Sequence, residues 1–102
     1  IEQACSYIKS HLNRRLSVNL LARQVALSPT SLTRKFREQT GKSLIEYINA
    51  IRMEEAATLL CETEWPVKMI CNYVGLRPLR MRQLFHEHHD CSPTEFRRRK
   101  PE

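Results

Sequence analysis

The chain repeats itself. Laying residues 18 to 47 over residues 67 to 96, at a constant offset of 49 and without a gap, makes eight of the thirty positions identical. They are Val18 with Val67, Val25 with Val74, Leu27 with Leu76, Pro29 with Pro78, Phe36 with Phe85, Glu38 with Glu87, Ser43 with Ser92, and Glu46 with Glu95. Other pairs keep their character: Leu21 with Ile70, Ala22 with Cys71, Leu32 with Met81, and Tyr47 with Phe96. Self-similarity at a fixed period means that one supersecondary unit occurs twice. What recurs is mostly apolar positions and helix-starting residues, so the two copies share a scaffold.

That scaffold is helical. Glycine occurs only at Gly41 and Gly75, and no window alternates apolar and polar residues long enough for a strand. The pattern predicts an all-α chain of about seven helices, two helix-turn-helix units joined by a long central helix. Ile1, Ala4, Cys5, Ile8 and Leu12 form one apolar stripe on a first, bracing helix. Ser17 opens a helix over 18–25, and Ser28 with Pro29 opens the next over 29–40. A serine oxygen accepts a free amide hydrogen there, and proline at the first position lacks a donor it would not use. Gly41 ends that helix by tolerating positive φ. Ser43 and Glu46 make a capping box for a long helix running to about Cys61, with Leu44, Ile48, Ile51, Leu59 and Leu60 on its buried side. Pro66 starts the second copy, whose helix over 78–89 mirrors 29–40 and whose Ser92 and Glu95 repeat the capping box. The whole of 1–102 reads as one domain: a first unit over 1–42, a linker helix over 43–62, and a second unit over 63–102.

Seventeen Lys plus Arg against eleven Asp plus Glu leave a net charge of +6, which suits an anionic partner, nucleic acid ahead of a membrane surface. No stretch approaches the roughly 20 apolar residues that span a bilayer, and the start lacks the basic-then-apolar run of a signal peptide, so a cytoplasmic protein is expected. Because a helical pattern is already under way at Ile1, the chain reads as a piece of a longer polypeptide. Cys5, Cys61, Cys71 and Cys91 form no CxxC pair and read as reduced thiols.

In a helix-turn-helix the first helix lets the second pass closely, which requires a small residue near its middle; Ala22 and Cys71 occupy that place. Ala26 and Gly75 sit in the turns, followed by Leu27 and Leu76, which plug the angle between the helices. With Leu32 and Phe36 facing inward, Thr30, Thr33, Arg34 and Arg37 fall on the outer side at about 100° per residue. Burying Met81 and Phe85 exposes Leu79, Arg82, Gln83 and His86, with Arg80 beside them. These are base-reading side-chain types: Arg bonds guanine in two places, Gln does likewise with adenine, and Thr or Leu meets a thymine methyl. A polar stripe opposite an apolar one is what any amphipathic helix shows, but two such helices after the same small-residue turn favour a DNA role. Base contact is expected from Thr30, Thr33, Arg34, Leu79, Arg80, Arg82 and Gln83. Phosphate contact is expected from Ser28, Ser31, Arg37, Lys68 and Arg77, beside the amides that open the helices at 18, 29, 67 and 78. A linker helix of about 19 residues spans roughly 28 Å, close to one DNA turn of roughly 34 Å once the flanking units are counted.

The run Leu21, Ala22, Leu27, Ser28, Pro29, Leu32, Arg34, Phe36 and Gly41, then Tyr47, Arg52, Ala56, Leu59 and Leu60, continues into Val67, Ile70, Val74, Gly75, Phe85, Ser92, Pro93, Phe96 and Arg97. It resembles the arabinose-regulator (AraC/XylS) family of bacterial transcription regulators over nearly the full chain. The resemblance implies a two-unit DNA-binding domain, usually C-terminal to a ligand-sensing or dimerisation domain, that activates or represses nearby promoters. It also implies that Thr30, Thr33 and Arg34, and Leu79, Arg80, Arg82 and Gln83, face the bases. The second unit departs from the family pattern: Arg77 stands where Ser28 caps the first unit, Asp90 replaces the usual Gly, and Gln83 replaces a usual Arg. That half therefore leans toward phosphate contact.

Rival readings rest on fewer residues. His86, His88, His89 and Cys91 suggest a metal cluster, yet no second ligand group at zinc-site spacing accompanies them, so neither metal nor cofactor is expected. Cysteine with histidine lacks an orienting Asn or Asp, and no catalytic residue is assigned. Arg97, Arg98, Arg99 and Lys100 read equally as a phosphate clamp and as a frayed basic tail. Trp65 beside Pro66 packs the linker's end rather than stacking on a base. A protein-interaction module docking on an acidic partner such as RNA polymerase would use the same exposed faces. Single-stranded nucleic acid is disfavoured because most of the seven aromatic residues fall at core positions.

Overall fold

The computed structural model describes residues 2–99, and Ile1 of the first stripe and Lys100 of the basic tail lie outside them. Seven helices are present among the described residues: α1 (Glu2–Ser10), α2 (Val18–Gln24), α3 (Pro29–Thr40), α4 (Leu44–Glu62), α5 (Val67–Val74), α6 (Pro78–His89) and α7 (Pro93–Arg98). The chain forms two compact units, Ile1–Ile51 and Arg52–Glu102, dividing within α4.

Unit 1 buries Ala4 and Ile8 of α1, with Leu12 in the turn after it and not on the helix as expected, against Leu21 and Ala22 of α2, Leu32 and Phe36 of α3, and Leu44 and Ile48 of α4. Phe36 meets the ring of Tyr47 edge-on at 5.0 Å. Unit 2 repeats the plan with Ile70, Cys71 and Val74 of α5, Met81, Leu84 and Phe85 of α6, and Met53, Ala56 and Leu60 of α4. Phe85 packs edge-on against Phe96 at 5.3 Å, the counterpart of Phe36 on Tyr47. Among the described residues no polar or charged residue is fully buried, so apolar contact dominates each core.

The long helix differs from its expected pattern. Ile51 and Leu59 are only half-buried, whereas Met53 and Ala56, outside the expected stripe, are fully buried. Leu44 and Ile48 belong to one core and Met53, Ala56 and Leu60 to the other. At about 100° per residue these two sets fall on different arcs of the helix, so α4 has no single apolar face for a periodicity reading to find. Leu84 is likewise buried where its repeat mate, Lys35, is exposed. The second core therefore takes in a side chain that the first leaves to solvent.

The helix starts follow the expected chemistry. Ser17 Oγ accepts the Leu20 amide and Ser28 Oγ the Ser31 amide, each at 3.1 Å. In both capping boxes the serine oxygen accepts the glutamate's amide at 3.1 Å and the carboxylate accepts the serine's amide at 2.9 Å, for Ser43 with Glu46 and for Ser92 with Glu95. The turns follow the repeat as well. Ala26 (φ 58°) pairs with Gly75 (φ 78°), and Gly41 (φ 74°) with Asp90 (φ 59°), so every left-handed residue among those described has a mate 49 positions away. After the first of these turns, the Leu27 amide donates to the Ala22 carbonyl at 3.0 Å and the Leu76 amide to the Cys71 carbonyl at 2.9 Å. The small residue of each first helix thus closes the turn through its carbonyl and admits the second helix through its size.

Two expectations follow from these turns and caps. A Cβ at Gly41 meets nothing within 4 Å, so Gly41→Ala is opposed by the backbone alone and should lower stability by about 1 kcal/mol, while Ala26→Gly should raise it by about 0.5–1 kcal/mol. Urea unfolding of both variants measures this. The carboxyls of Glu46 and Glu95 are held below the ordinary carboxylate range, first by the backbone amides and then by the hydroxyls of Ser43 and Ser92. Because the folded value is depressed, the capping contribution is complete above the unfolded carboxylate range and is lost as pH falls through the folded values. NMR titration should show both lowered, and Ser43→Ala, which removes the hydroxyl but keeps the amide, should return Glu46 only part of the way toward normal without moving Glu95.

Candidate nucleic-acid interface

On α3 the inward Leu32 and Phe36 fix which side is outward, and Thr30, Thr33, Arg34 and Arg37 are all exposed. Pro29, Thr30, Thr33 and Arg34 line one shallow surface depression at the N-terminal end of the helix. Pro29, which the sequence marks as the helix-opening residue, also shares this face through its i, i+1, i+4, i+5 relation to the other three. Ser28 is exposed and its oxygen is engaged with the Ser31 amide, which leaves its hydroxyl hydrogen to donate; Ser31 itself is half-buried. On α6, Leu79, Arg80, Arg82 and Gln83 are exposed opposite the buried Met81, Leu84 and Phe85, and Lys68 and Arg77 are exposed at the starts of α5 and α6. Arg80 Nη1 donates to Gln83 Oε1 at 3.5 Å, a long bond in solvent that sets the two side chains together.

The two units differ at their helix starts. Ser17 and Ser28 cap α2 and α3, but Pro66 and Arg77 give α5 and α6 no side-chain cap. The first amides of α5, and those of Leu79 and Arg80 on α6, therefore keep donors that the corresponding ends in unit 1 spend partly on serine.

The basic tail needs correcting at one residue. Arg97 is half-buried and donates through Nε to the Leu60 carbonyl at 3.1 Å and through Nη2 to the carbonyls of Thr63 at 3.3 Å and Trp65 at 2.7 Å. Its guanidinium holds the end of α4 and the stretch before α5, so it is a structural tie and neither a phosphate clamp nor a frayed end. Trp65 packs against the same core and meets Tyr73 edge-on at 5.6 Å, as a linker-end residue should. One histidine of the run takes part in packing: the His89 ring lies 5.2 Å from Phe85 and 4.7 Å from Phe96, while His86 and His88 are exposed and Cys91 is buried. Among the described residues no three His, Cys, Asp or Glu side chains come together as a metal site. Cys71 donates its thiol hydrogen to the Met81 sulfur at 3.5 Å, and burial pushes that thiol up from its ordinary value, away from the reactive thiolate. No helix of the described residues is long and apolar enough to cross a membrane.

A pair of helical units, each holding an exposed polar helix behind a tight left-handed turn, defines a helix-turn-helix DNA-binding domain. A helix-turn-helix domain model matches residues 21–99. The arabinose operon regulatory protein of Escherichia coli K12 is 32% identical over 99 residues, which are 95% of this chain and 34% of the relative. The C-terminal domain of AraT, a response regulator from Geobacillus stearothermophilus, superposes with a TM-score of 0.90 at 32% identity, over 99% of this chain and 86% of that one. The DNA-binding domain of AdpA, solved with a target DNA, shares the fold at a TM-score of 0.89 and 24% identity, over 95% and 88% of the two chains. The chain belongs to the AraC-type helix-turn-helix family of transcription regulators. It spans about a third of the length of the curated arabinose regulator that it matches.

Replacing Arg97 with alanine should lower the stability of unit 2 by about 2 kcal/mol, since three carbonyls lose a charged donor. Arg97→Lys should recover little of this, because an ammonium cannot present the planar fork. Thermal unfolding of both variants measures the effect.

Proposed function

We propose that this chain is the DNA-reading part of a bacterial transcription regulator, in which α3 and α6 enter successive major-groove segments of one duplex. The observation that carries the reading is the exposure, on both 12-residue reader helices, of a polar and basic stripe whose opposite side is locked into a core. Arg34, Thr30 and Thr33 read base edges from the first helix, and Leu79, Arg80, Arg82 and Gln83 from the second. Arg37, Lys68, Arg77, Ser28 and Ser31 meet phosphates. The free amides that open α5 and α6 add backbone donors where phosphates pass, which supports a larger share of phosphate contact in the second unit. The role is binding and not catalysis, and its place is the bacterial cytoplasm. The parent protein carries a further domain for ligand sensing or dimerisation.

Arg34→Ala should weaken binding to the selected site by about 1–3 kcal/mol and relax preference at one base pair. Measured across a panel of duplexes, an equal loss on every sequence would reject a base-reading role. A second reading, docking on a protein such as RNA polymerase, draws on Met69 and Tyr73, exposed one turn apart on α5. Duplex binding is distinguished by a steep, log-linear loss of affinity with salt.

A further inference from the structure

Four large apolar side chains stand exposed among the described residues: Ile45, Met69, Tyr73 and Leu79. Leu79 is the most exposed of them, at 60%, and it alone lies on a reader helix. A single surface leucine is ordinary on a soluble protein. Its position is what carries weight here. It is the second residue of α6, at the N-terminal end that a recognition helix turns toward base edges, and its neighbours there are Arg80, Arg82 and Gln83, all exposed. Its mate 49 positions earlier, Thr30, also carries a methyl group and lines the depression at the start of α3. Each reader helix therefore presents a methyl-bearing side chain at the same place, and in unit 2 that group has no hydrogen-bonding atom at all.

The edges of the major groove offer donors, acceptors and one apolar group, the C5-methyl of thymine. A leucine pressed against any other part of an edge would strip water from a polar atom and return nothing. We infer that Leu79 reads a pyrimidine C5-methyl group, a thymine in unmodified DNA, at one position of the half-site bound by unit 2. The inference rests on the DNA-reading role proposed above and assigns a chemical preference within it. 5-Methylcytosine carries the same group at the same place, so it satisfies the contact where cytosine does not.

The test begins with a site selected from random duplexes by the whole chain. Each thymine of the second half-site is then replaced singly by deoxyuridine, which keeps the hydrogen-bonding edge and lacks only the methyl. At one position the wild-type protein should bind the uracil duplex about fourfold more weakly, the equivalent of about 0.8 kcal/mol for one buried methyl. Leu79→Ala, a surface change that leaves the core untouched, should bind the thymine and uracil duplexes equally at that position. At the same position, 5-methylcytosine opposite guanine should bind more tightly than cytosine by a similar factor in wild type and not in the variant. Specific binding with no uracil penalty anywhere, or a penalty unchanged by Leu79→Ala, overturns the assignment and leaves the DNA-reading role standing. Absence of any duplex preference removes both.

Discussion

Each unit depends on one hydrogen bond and the backbone conformation that permits it. The amide of Leu27 returns to the carbonyl of Ala22, and that of Leu76 to Cys71, across a turn whose preceding residue is left-handed. This closes the angle between the two helices within four residues in the first unit and three in the second, and the leucine packs into the core beside them. Once the angle is set, burial of Leu32 and Phe36, or of Met81, Leu84 and Phe85, determines which side of the second helix faces outward. The exposed stripe is thus a consequence of the turn and the core, not of any attraction among the polar residues that form it. Such a stripe tolerates changes of identity, which is how Thr33 and Arg34 come to correspond to Arg82 and Gln83 on matching scaffolds.

Much of the fold is legible in the residues because its determinants are local. Ser28 before Pro29, and the Ser-Glu spacing at 43 to 46 and 92 to 95, act within one helical turn, so the starts of α3, α4 and α7 follow directly. The 49-residue offset recovers the second copy even where identity fails, as at Asp90, which takes the left-handed conformation of Gly41. The remainder depends on contacts distant in sequence. Met53 and Ala56 serve one core while Leu44 and Ile48 serve the other, and no single-face pattern reveals a helix that changes allegiance midway. Arg97 looks like one of four consecutive basic residues, and only the carbonyls of Leu60, Thr63 and Trp65, more than thirty residues earlier, show what it does.

The candidate interface divides along the same line. That Thr30, Thr33, Arg34, Leu79, Arg80, Arg82 and Gln83 reach solvent together follows from helical periodicity on α3 and α6. The Arg80 to Gln83 bond, the depression that includes Pro29, and the contrast between capped and uncapped helix starts depend on side-chain placement. The bond is long and exposed, so it sets Arg80 and Gln83 side by side while the amide oxygen keeps acceptor capacity.

Pro66 and Arg77 leave α5 and α6 without the intramolecular acceptors that Ser17 and Ser28 provide for α2 and α3. A helix begun in this way borrows its terminal acceptors from the surroundings, water when the domain is alone. Substituting serine at position 77 would make the isolated second unit sturdier and at the same time occupy an amide otherwise turned outward. Robustness of the isolated domain and the supply of outward-facing amide donors are therefore opposing demands at this residue, and the first unit has settled them in favour of robustness.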